Sequence, residues 1–149
     1  MENYKLRQIG NLSKTKIDTL VIESQNEGFH FLNRLVKDYE NGTNKFDKPG
    51  EALYSIFDVN DKLIAIGGIN VDPYSKENGI GRLRRFYVGK AYRKKGLGRI
   101  LVQRIINHTA TFRVIVLNTD TEQGDLFYKS LGFEKEPLYS NSTHYLKLR

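Results

Sequence analysis

The sequence predicts an α/β fold: a mixed, mostly antiparallel central sheet with helices on both faces, in the order β-α-α-β-β-β-α-β-α-β-β. Three observations lead there. Two helical apolar stripes occupy the first third of the chain. The hydrophobic period then turns extended, and Leu63 to Val71 forms a nearly continuous apolar run, as a central strand covered on both faces requires. From there to the C-terminus strand and helix patterns interleave, with most strands adjacent in the chain. At 149 residues, 39% hydrophobic and 28% charged, the expectation is one globular domain spanning residues 1–149.

The elements follow in order. Tyr4, Leu6 and Gln8 to Ile9 read as an opening strand. Ser13 can cap a helix carrying Ile17, Leu20 and Val21, an i, i+3, i+4 set. Gly28 interrupts it, and Leu32, Leu35, Val36 and Tyr39 then form an i, i+3, i+4, i+7 stripe that Asn41-Gly42 ends. Leu53 to Val59 is a strand, Asn60-Asp61 a tight turn, and Leu63 to Val71 its hairpin partner. After the polar loop Asp72 to Gly79, Arg82 to Val88 is a further strand. Leu97 to His108 is helical, with Leu97, Ile100, Leu101 and Ile105 on one stripe. Val114 to Leu117 is a short buried strand, and Asp120 with Gln123 resembles a capping box. The helix it opens carries Leu126, Phe127 and Leu131 and stops at Gly132. Phe133 to Glu136 and Thr143 to Leu148 close the sheet, and the last strand could pair across a homodimer.

Composition removes several chemistries. The chain has no cysteine, which excludes thiol catalysis, cysteine-based zinc sites and disulfides. His30, His108 and His144 lack metal-ligand spacing, so no metal is expected. Met1 to Lys5 lacks the apolar run of a signal peptide, and no segment reaches membrane-spanning length. A cytoplasmic protein with no membrane partner is the expectation. The net charge of +7 invites a nucleic-acid reading. However, Arg82, Arg84, Arg85, Lys90, Arg93, Lys94, Lys95 and Arg99 cluster beside a glycine loop, which suits a compact polyphosphate better than a duplex. No nucleic-acid partner is therefore expected, while a solvated basic face remains open for Lys90, Lys94 and Lys95.

The informative segment is strand, glycine loop, helix: Phe86-Tyr87-Val88, then Arg93-x-x-Gly96-x-Gly98, then the helix from Leu97. A helix N-terminus leaves N–H groups unpaired and carries partial positive charge, so it accepts phosphate. Glycine at 96 and 98 would let the backbone approach a ligand without an intervening Cβ. Arg93, Lys95 and Arg99 could add counter-charge. The loop is neither a Walker A loop nor a dinucleotide fingerprint, since no Gly-Lys-Ser/Thr follows at the required spacing and only two of three glycines appear. A purely structural turn is the alternative.

The stretch Val88-Gly89-Lys90-Ala91-Tyr92-Arg93-Lys94-Lys95-Gly96-Leu97-Gly98-Arg99-Ile100-Leu101 resembles the acetyl-CoA motif of the GNAT superfamily of N-acetyltransferases, Arg/Gln-x-x-Gly-x-Gly/Ala. Phe127-Tyr128-Lys129-Ser130-Leu131-Gly132-Phe133, beyond Asn118 at the end of a buried strand, is similar to a second motif of that family. The element order is also similar, so the resemblance covers nearly the whole chain. It implies a GNAT-like fold with acetyl-CoA as acyl donor. Main-chain groups of Phe86, Tyr87 and Val88 would meet the pantetheine arm, and Arg93, Lys94, Lys95, Gly96, Leu97, Gly98 and Arg99 would hold the pyrophosphate. Asn118 would bond the pantetheine arm or a water. Tyr128 would protonate the departing thiolate, which a phenol near pKa 10 can do for a thiol near 8.5. An aromatic packing residue is the alternative for Tyr128. A backbone N–H, that of Val88, would stabilise the oxyanion.

The acceptor side departs from the family pattern. Where many members carry a Glu on the strand before the loop, this chain has Arg82, Arg84 and Arg85. That removes the obvious base and points to an acceptor bearing a carboxylate or phosphate, because Arg grips such groups with a two-pronged fork. A solvated arginine cluster is the alternative. Strand alternation places Arg82 and Arg84 with Phe86 and Val88 on one face, and Arg85 with Tyr87 on the other. Glu23, Glu27 and Asp72 are the base candidates, Glu27 preferred; each also reads as a cap or surface carboxylate. Phe29, Phe31 and Tyr39 could wall the pocket, and Glu27, Phe31, Arg84 and Asp72 form the expected substrate set. The resulting expectation is acetyl transfer to a primary amine of a small molecule. A protein N-terminal or lysine acetyltransferase, and a non-catalytic acyl-CoA-binding or regulatory module, are the alternatives.

Overall fold

The computed structural model describes residues 3–108 and 110–148, with the side chain of residue 14 left out. Its elements are β1 (Lys5–Gln8), α1 (Asp18–Asn26), α2 (Phe31–Glu40), β2 (Ala52–Phe57), β3 (Leu63–Val71), β4 (Ile80–Val88), α3 (Leu97–Ile106), β5 (Val114–Leu117), α4 (Glu122–Ser130), β6 (Glu134–Lys135) and β7 (His144–Lys147). The strands form one seven-stranded sheet in the order β1-β2-β3-β4-β5-β7-β6. Every neighbouring pair is antiparallel except β4 and β5. The expected mixed α/β layout is the one observed.

Alternation along the central strands explains why their sequences are apolar throughout. Tyr54, Ile56, Ala65 and Ile69 turn to one face, against Leu97, Leu101, Val102 and Ile105 of α3. Leu53, Leu63 and Ile66 turn to the other, against Leu20 of α1 and Leu32 and Leu35 of α2. Leu32 and Leu35 are 0% and 1% exposed, and burying such a side chain stabilises by about 1.5–3 kcal/mol. The stripe that predicts α2 is thus the stripe that holds it down.

Several boundaries shift. Ser13 does not cap α1. It sits in a 3-10 turn, Leu12–Lys14, where the Asn11 side chain accepts its N–H, and α1 begins at Asp18 without a side-chain cap. Asp120 and Gln123 form no capping box; Thr121 caps α4 by accepting from the N–H of Gly124. The C-terminal strand is not an outer edge, because β7 lies between β5 and β6. β6 pairs with His144 and Tyr145 alone, so that part of β7 has no free edge for pairing across a homodimer. Among the described residues no helix is long and apolar enough to cross a membrane.

Candidate active site

The site is created where β4 and β5 part. They pair only at Ile80, Gly81 and Arg82, opposite Val114, Ile115 and Val116. Beyond that a bulge redirects β4: Gly68 of β3 faces Arg84 and Ile66 faces Tyr87, leaving one extra residue on β4. Arg85 absorbs the bulge with φ +58°, a left-handed conformation costly for any residue with a Cβ. The bulge changes part of the alternation expected from sequence: Leu83, and not Arg82 and Arg84, shares the face of Phe86 and Val88. Phe86 and Val88 pack with Leu83 in the α3-side cluster, while Tyr87 packs on the α1–α2 side and Arg85 reaches Asp38 of α2.

The pairing phase exposes the end of β4. The Gly89 N–H donates to the Ile64 carbonyl, so the Val88–Ala65 pair is the non-hydrogen-bonded type and the N–H and C=O of Val88 point away from β3. The carbonyl accepts from Arg93 Nε at 3.0 Å, and the N–H faces the side from which β5 has diverged. The resulting cleft, about 700 Å³, is lined by residues of β4, α2 and the end of β5, with Tyr128 and Asn141. Phe31, Arg84, Phe86, Asn118 and Tyr128 of the expected site are brought together there. Asn118 is exposed immediately after β5.

The glycine loop leads from this cleft to α3. Gly96 is the N-cap of α3, left-handed at φ +80°, and no side chain caps the helix. A Cβ at Gly96 would meet no atom within 4 Å, so the space over the first turn is open to an anion. Gly98 has a different reason. A Cβ there would lie 3.2 Å from the Phe127 ring and 3.3 Å from that of Phe86, so it is small to let α3 pack on that stacked pair. Lys94, φ +63°, forms no side-chain hydrogen bond or ion pair among the described residues. Arg99 donates to Ser130 Oγ at 3.1 Å, linking α3 to α4. Lys95 and Leu97 turn instead toward a groove beside Tyr4 and Leu6 of the β1 edge. The open helix end, with Lys94 beside it, fits a pyrophosphate.

Tyr128 is 8% exposed, its ring against Phe86, Phe127 and Phe133. Burial alone pushes its phenol above the ordinary 10.0. Behind it His144, fully buried, has Nε2 2.7 Å from Asp125 Oδ1 and Nδ1 2.7 Å from Thr143 Oγ1. Thr143 Oγ1 also accepts from the N–H of Thr119. Neither this histidine nor His108, which bonds Tyr54, belongs to a cluster of metal-ligand side chains among the described residues.

Glu27 and Asp72 are placed differently from expectation. Arg93 grips Glu27 with two hydrogen bonds of 3.0 and 2.6 Å. That contact holds the Glu27 carboxyl below the usual range despite partial burial. Tyr87 Oη lies 2.5 Å from Glu27 and 2.8 Å from Glu23, which also accepts the Lys90 N–H. A carboxylate held this way suits a clamp between α1 and the loop, not a proton acceptor, and it also takes Arg93 away from the phosphate. Asp72 is buried and accepts from Arg82 Nε at 2.8 Å. The other two nitrogens of Arg82 donate to the carbonyls of Asn141 and Ser140. The pair ties β4 to the segment before β7 and leaves Arg82 no free fork for an acceptor.

Four arginines line the cleft, Arg34, Arg82, Arg84 and Arg85, of which Arg82 is already engaged by Asp72. Among the described residues Arg85 Nε is buried without a partner, and the Arg85 ion pair to Asp38 is long at 3.7 Å. Burial, then the fields of Arg84 and Arg34, bring Arg85 down to about 10. Sequence reasoning missed Arg34 and Asp38, although Phe31, Arg34 and Asp38 lie at i, i+3, i+7 on α2. That second stripe is the signal that could have found them.

A family model for the acetyltransferase (GNAT) domain matches residues 50–135. Among solved structures, the chain is similar to one described as an acetyltransferase from Exiguobacterium sp. 255-15, at 26% identity and TM-score 0.86, covering 97% of this chain and 93% of that one. It is similar in fold to a GNAT-family acetyltransferase from Staphylococcus aureus Mu50, at 17% identity and TM-score 0.76, covering 99% and 100%. Glucosamine-6-phosphate N-acetyltransferase from Arabidopsis thaliana shares the fold at 17% identity and TM-score 0.60, covering 91% and 94%. No curated protein sequence matches the chain.

Proposed function

This chain belongs to the GNAT acetyltransferase family and is an N-acetyltransferase, and from that premise we propose that it moves the acetyl group of acetyl-CoA directly onto the primary amine of a small molecule bearing an anionic group. The observation that carries this reading is the order of features along β4. Arg84 and Arg85 come first, then Phe86 against Tyr128, then the exposed N–H of Val88, and then the loop to α3. In this reading residues 1–149 act as one domain.

The α3 N-terminus and Lys94 hold the pyrophosphate of the donor, and Asn118 bonds its pantetheine arm or a water. The Val88 N–H stabilises the oxyanion formed when the amine nitrogen attacks the thioester carbon. As the C–S bond breaks, Tyr128 gives its proton to the thiolate. The amine's surplus proton passes to water. No dedicated carboxylate base is invoked, because Glu27 and Asp72 are held by Arg93 and Arg82.

The test is release of free thiol from acetyl-CoA with a panel of small amines, amino-terminal peptides and lysine peptides. We expect release with small amines that carry an anionic group. Faster release with the peptides would overturn the small-molecule reading. Binding of acetyl-CoA with no release on any amine would overturn acetyl transfer itself in favour of a binding module.

A further inference from the structure

Arg34, Arg84 and Arg85 line one wall of the cleft with a single carboxylate, Asp38, among them. Arg82 is already neutralised by Asp72 at 2.8 Å. Three cations against one anion leave two positive charges in a partly closed cleft. Arg34 and Arg84 form no side-chain hydrogen bond or ion pair among the described residues. The Arg85 side chain is 9% exposed and still carries a buried Nε with no acceptor. Burying a guanidinium donor unpaired is costly, and the backbone is strained at the same residue to aim it, with φ +58°. The bulge matters here. Consecutive strand residues ordinarily point to opposite faces, but it brings both Arg84 and Arg85 to the wall shared with Arg34.

Resting on the acceptor reading above, we propose that the acceptor's anionic group is a phosphate monoester in its dianionic form, bound by Arg34, Arg84 and Arg85. Two charges match the two left uncompensated, and a tetrahedral group offers oxygens to guanidinium groups arriving from a helix and a strand. A single carboxylate would leave one positive charge unmatched. The Phe86 ring, which follows Arg85 directly, contacts Tyr128 at a centroid distance of 6.2 Å. Phosphate and reacting amine therefore fall within the reach of one small molecule.

The experiment compares matched acceptors in the intact enzyme with acetyl-CoA. The pairs are 2-aminoethanol and its phosphate, and amino sugars with and without a phosphate. Aminodicarboxylates and monocarboxylates complete the panel. We expect the phosphorylated member of at least one pair to gain about 100-fold in kcat/KM. That gain should shrink below about pH 6, where the dianion facing Arg34, Arg84, Arg85 and Asp38 takes up one proton and becomes a monoanion. Arg84→Gln and Arg85→Lys should each reduce the gain at least about tenfold, with acetyl-CoA binding by calorimetry reporting that each variant is folded. Phenyl phosphate binding to the CoA-saturated protein gives a second readout that needs no turnover, and it should weaken in Arg84→Gln.

Acetylation of unphosphorylated or carboxylated amines with no phosphate advantage would overturn this proposal and leave the acetyltransferase reading standing. So would phenyl phosphate binding that ignores the arginine substitutions. Arginine-dependent binding of phenyl phosphate with no amine acetylated would support the anion site and sink the amine acceptor.

Discussion

Tyr128 is packed on three sides by aromatic rings and lines the cleft where β4 and β5 part. Removing its hydroxyl changes almost nothing else, since phenylalanine keeps the ring in the same packing. Tyr128→Phe is therefore expected to lower kcat by about 10²–10⁴-fold, the range of a positioned general acid, while acetyl-CoA binding stays intact. A kcat within about threefold of the wild type would return Tyr128 to a packing role. The pH profile adds a sign. Burial raises this phenol above 10.0, so it keeps its proton across the working range. Activity should rise with pH as the amine deprotonates, with no fall from loss of the acid below about pH 10. A descending limb near pH 8 that disappears in Tyr128→Phe would contradict the raised value.

The loop between β4 and α3 is moored to α1 by Glu27, through Arg93 and beside Tyr87. The sequence reading nominates Glu27 as base, and the structure gives it this mooring, so a substitution separates the two jobs. Glu27→Gln is expected to raise the acetyl-CoA KM about 2- to 5-fold, because a partly exposed ion pair is worth at most about 1 kcal/mol. kcat should stay within about threefold. A kcat loss above about 100-fold, with the acidic limb of the pH profile shifted, would make Glu27 the base after all. The same elements show what a sequence can carry. The α2 stripe, the apolar run of β3 and Gly96 were legible because each is a local periodicity or a conformational demand met by residue type. The bulge was not, since the left-handed residue is Arg85, with no glycine to announce it. The partners of Glu27 and Arg82 were not legible either: Arg93 lies 66 residues from Glu27, and the Arg82 guanidinium is taken up by Asp72, ten residues back. An arginine that binds a ligand and one that staples two strands look the same until their partners are known.

Across the whole molecule, buried phenols join the layers and set how the fold meets alkali. Tyr87 ties the sheet to α1, raised first by burial and then by Glu27 and Glu23. Tyr128 seats α4 on the sheet and is raised by burial. Tyr145 joins β7 to β6 and is pushed up to about 12, chiefly by its hydrogen bond to Glu134. In the unfolded chain these phenols ionise near the ordinary 10.0, while the folded protein keeps them protonated. Their contribution is complete below pH 10 and is lost as pH climbs toward the folded values, because the native state then binds more protons than the unfolded one. Arg85 works the other way. Its folded value is about 10 against 12.5, so the penalty of burying its charge is relieved as pH rises between the two. Three phenols outweigh one guanidinium, and the melting temperature should drop steadily above about pH 10. Tyr87→Phe is expected to melt lower at about pH 8, having lost its contacts with Glu23 and Glu27, but with a shallower decline above pH 10. Circular dichroism melts across that range, with tyrosinate absorbance followed in parallel, decide the matter. A melting temperature flat through pH 11, or all nine tyrosines of the folded protein ionising together near 10, would show that these hydroxyls are not held by the fold.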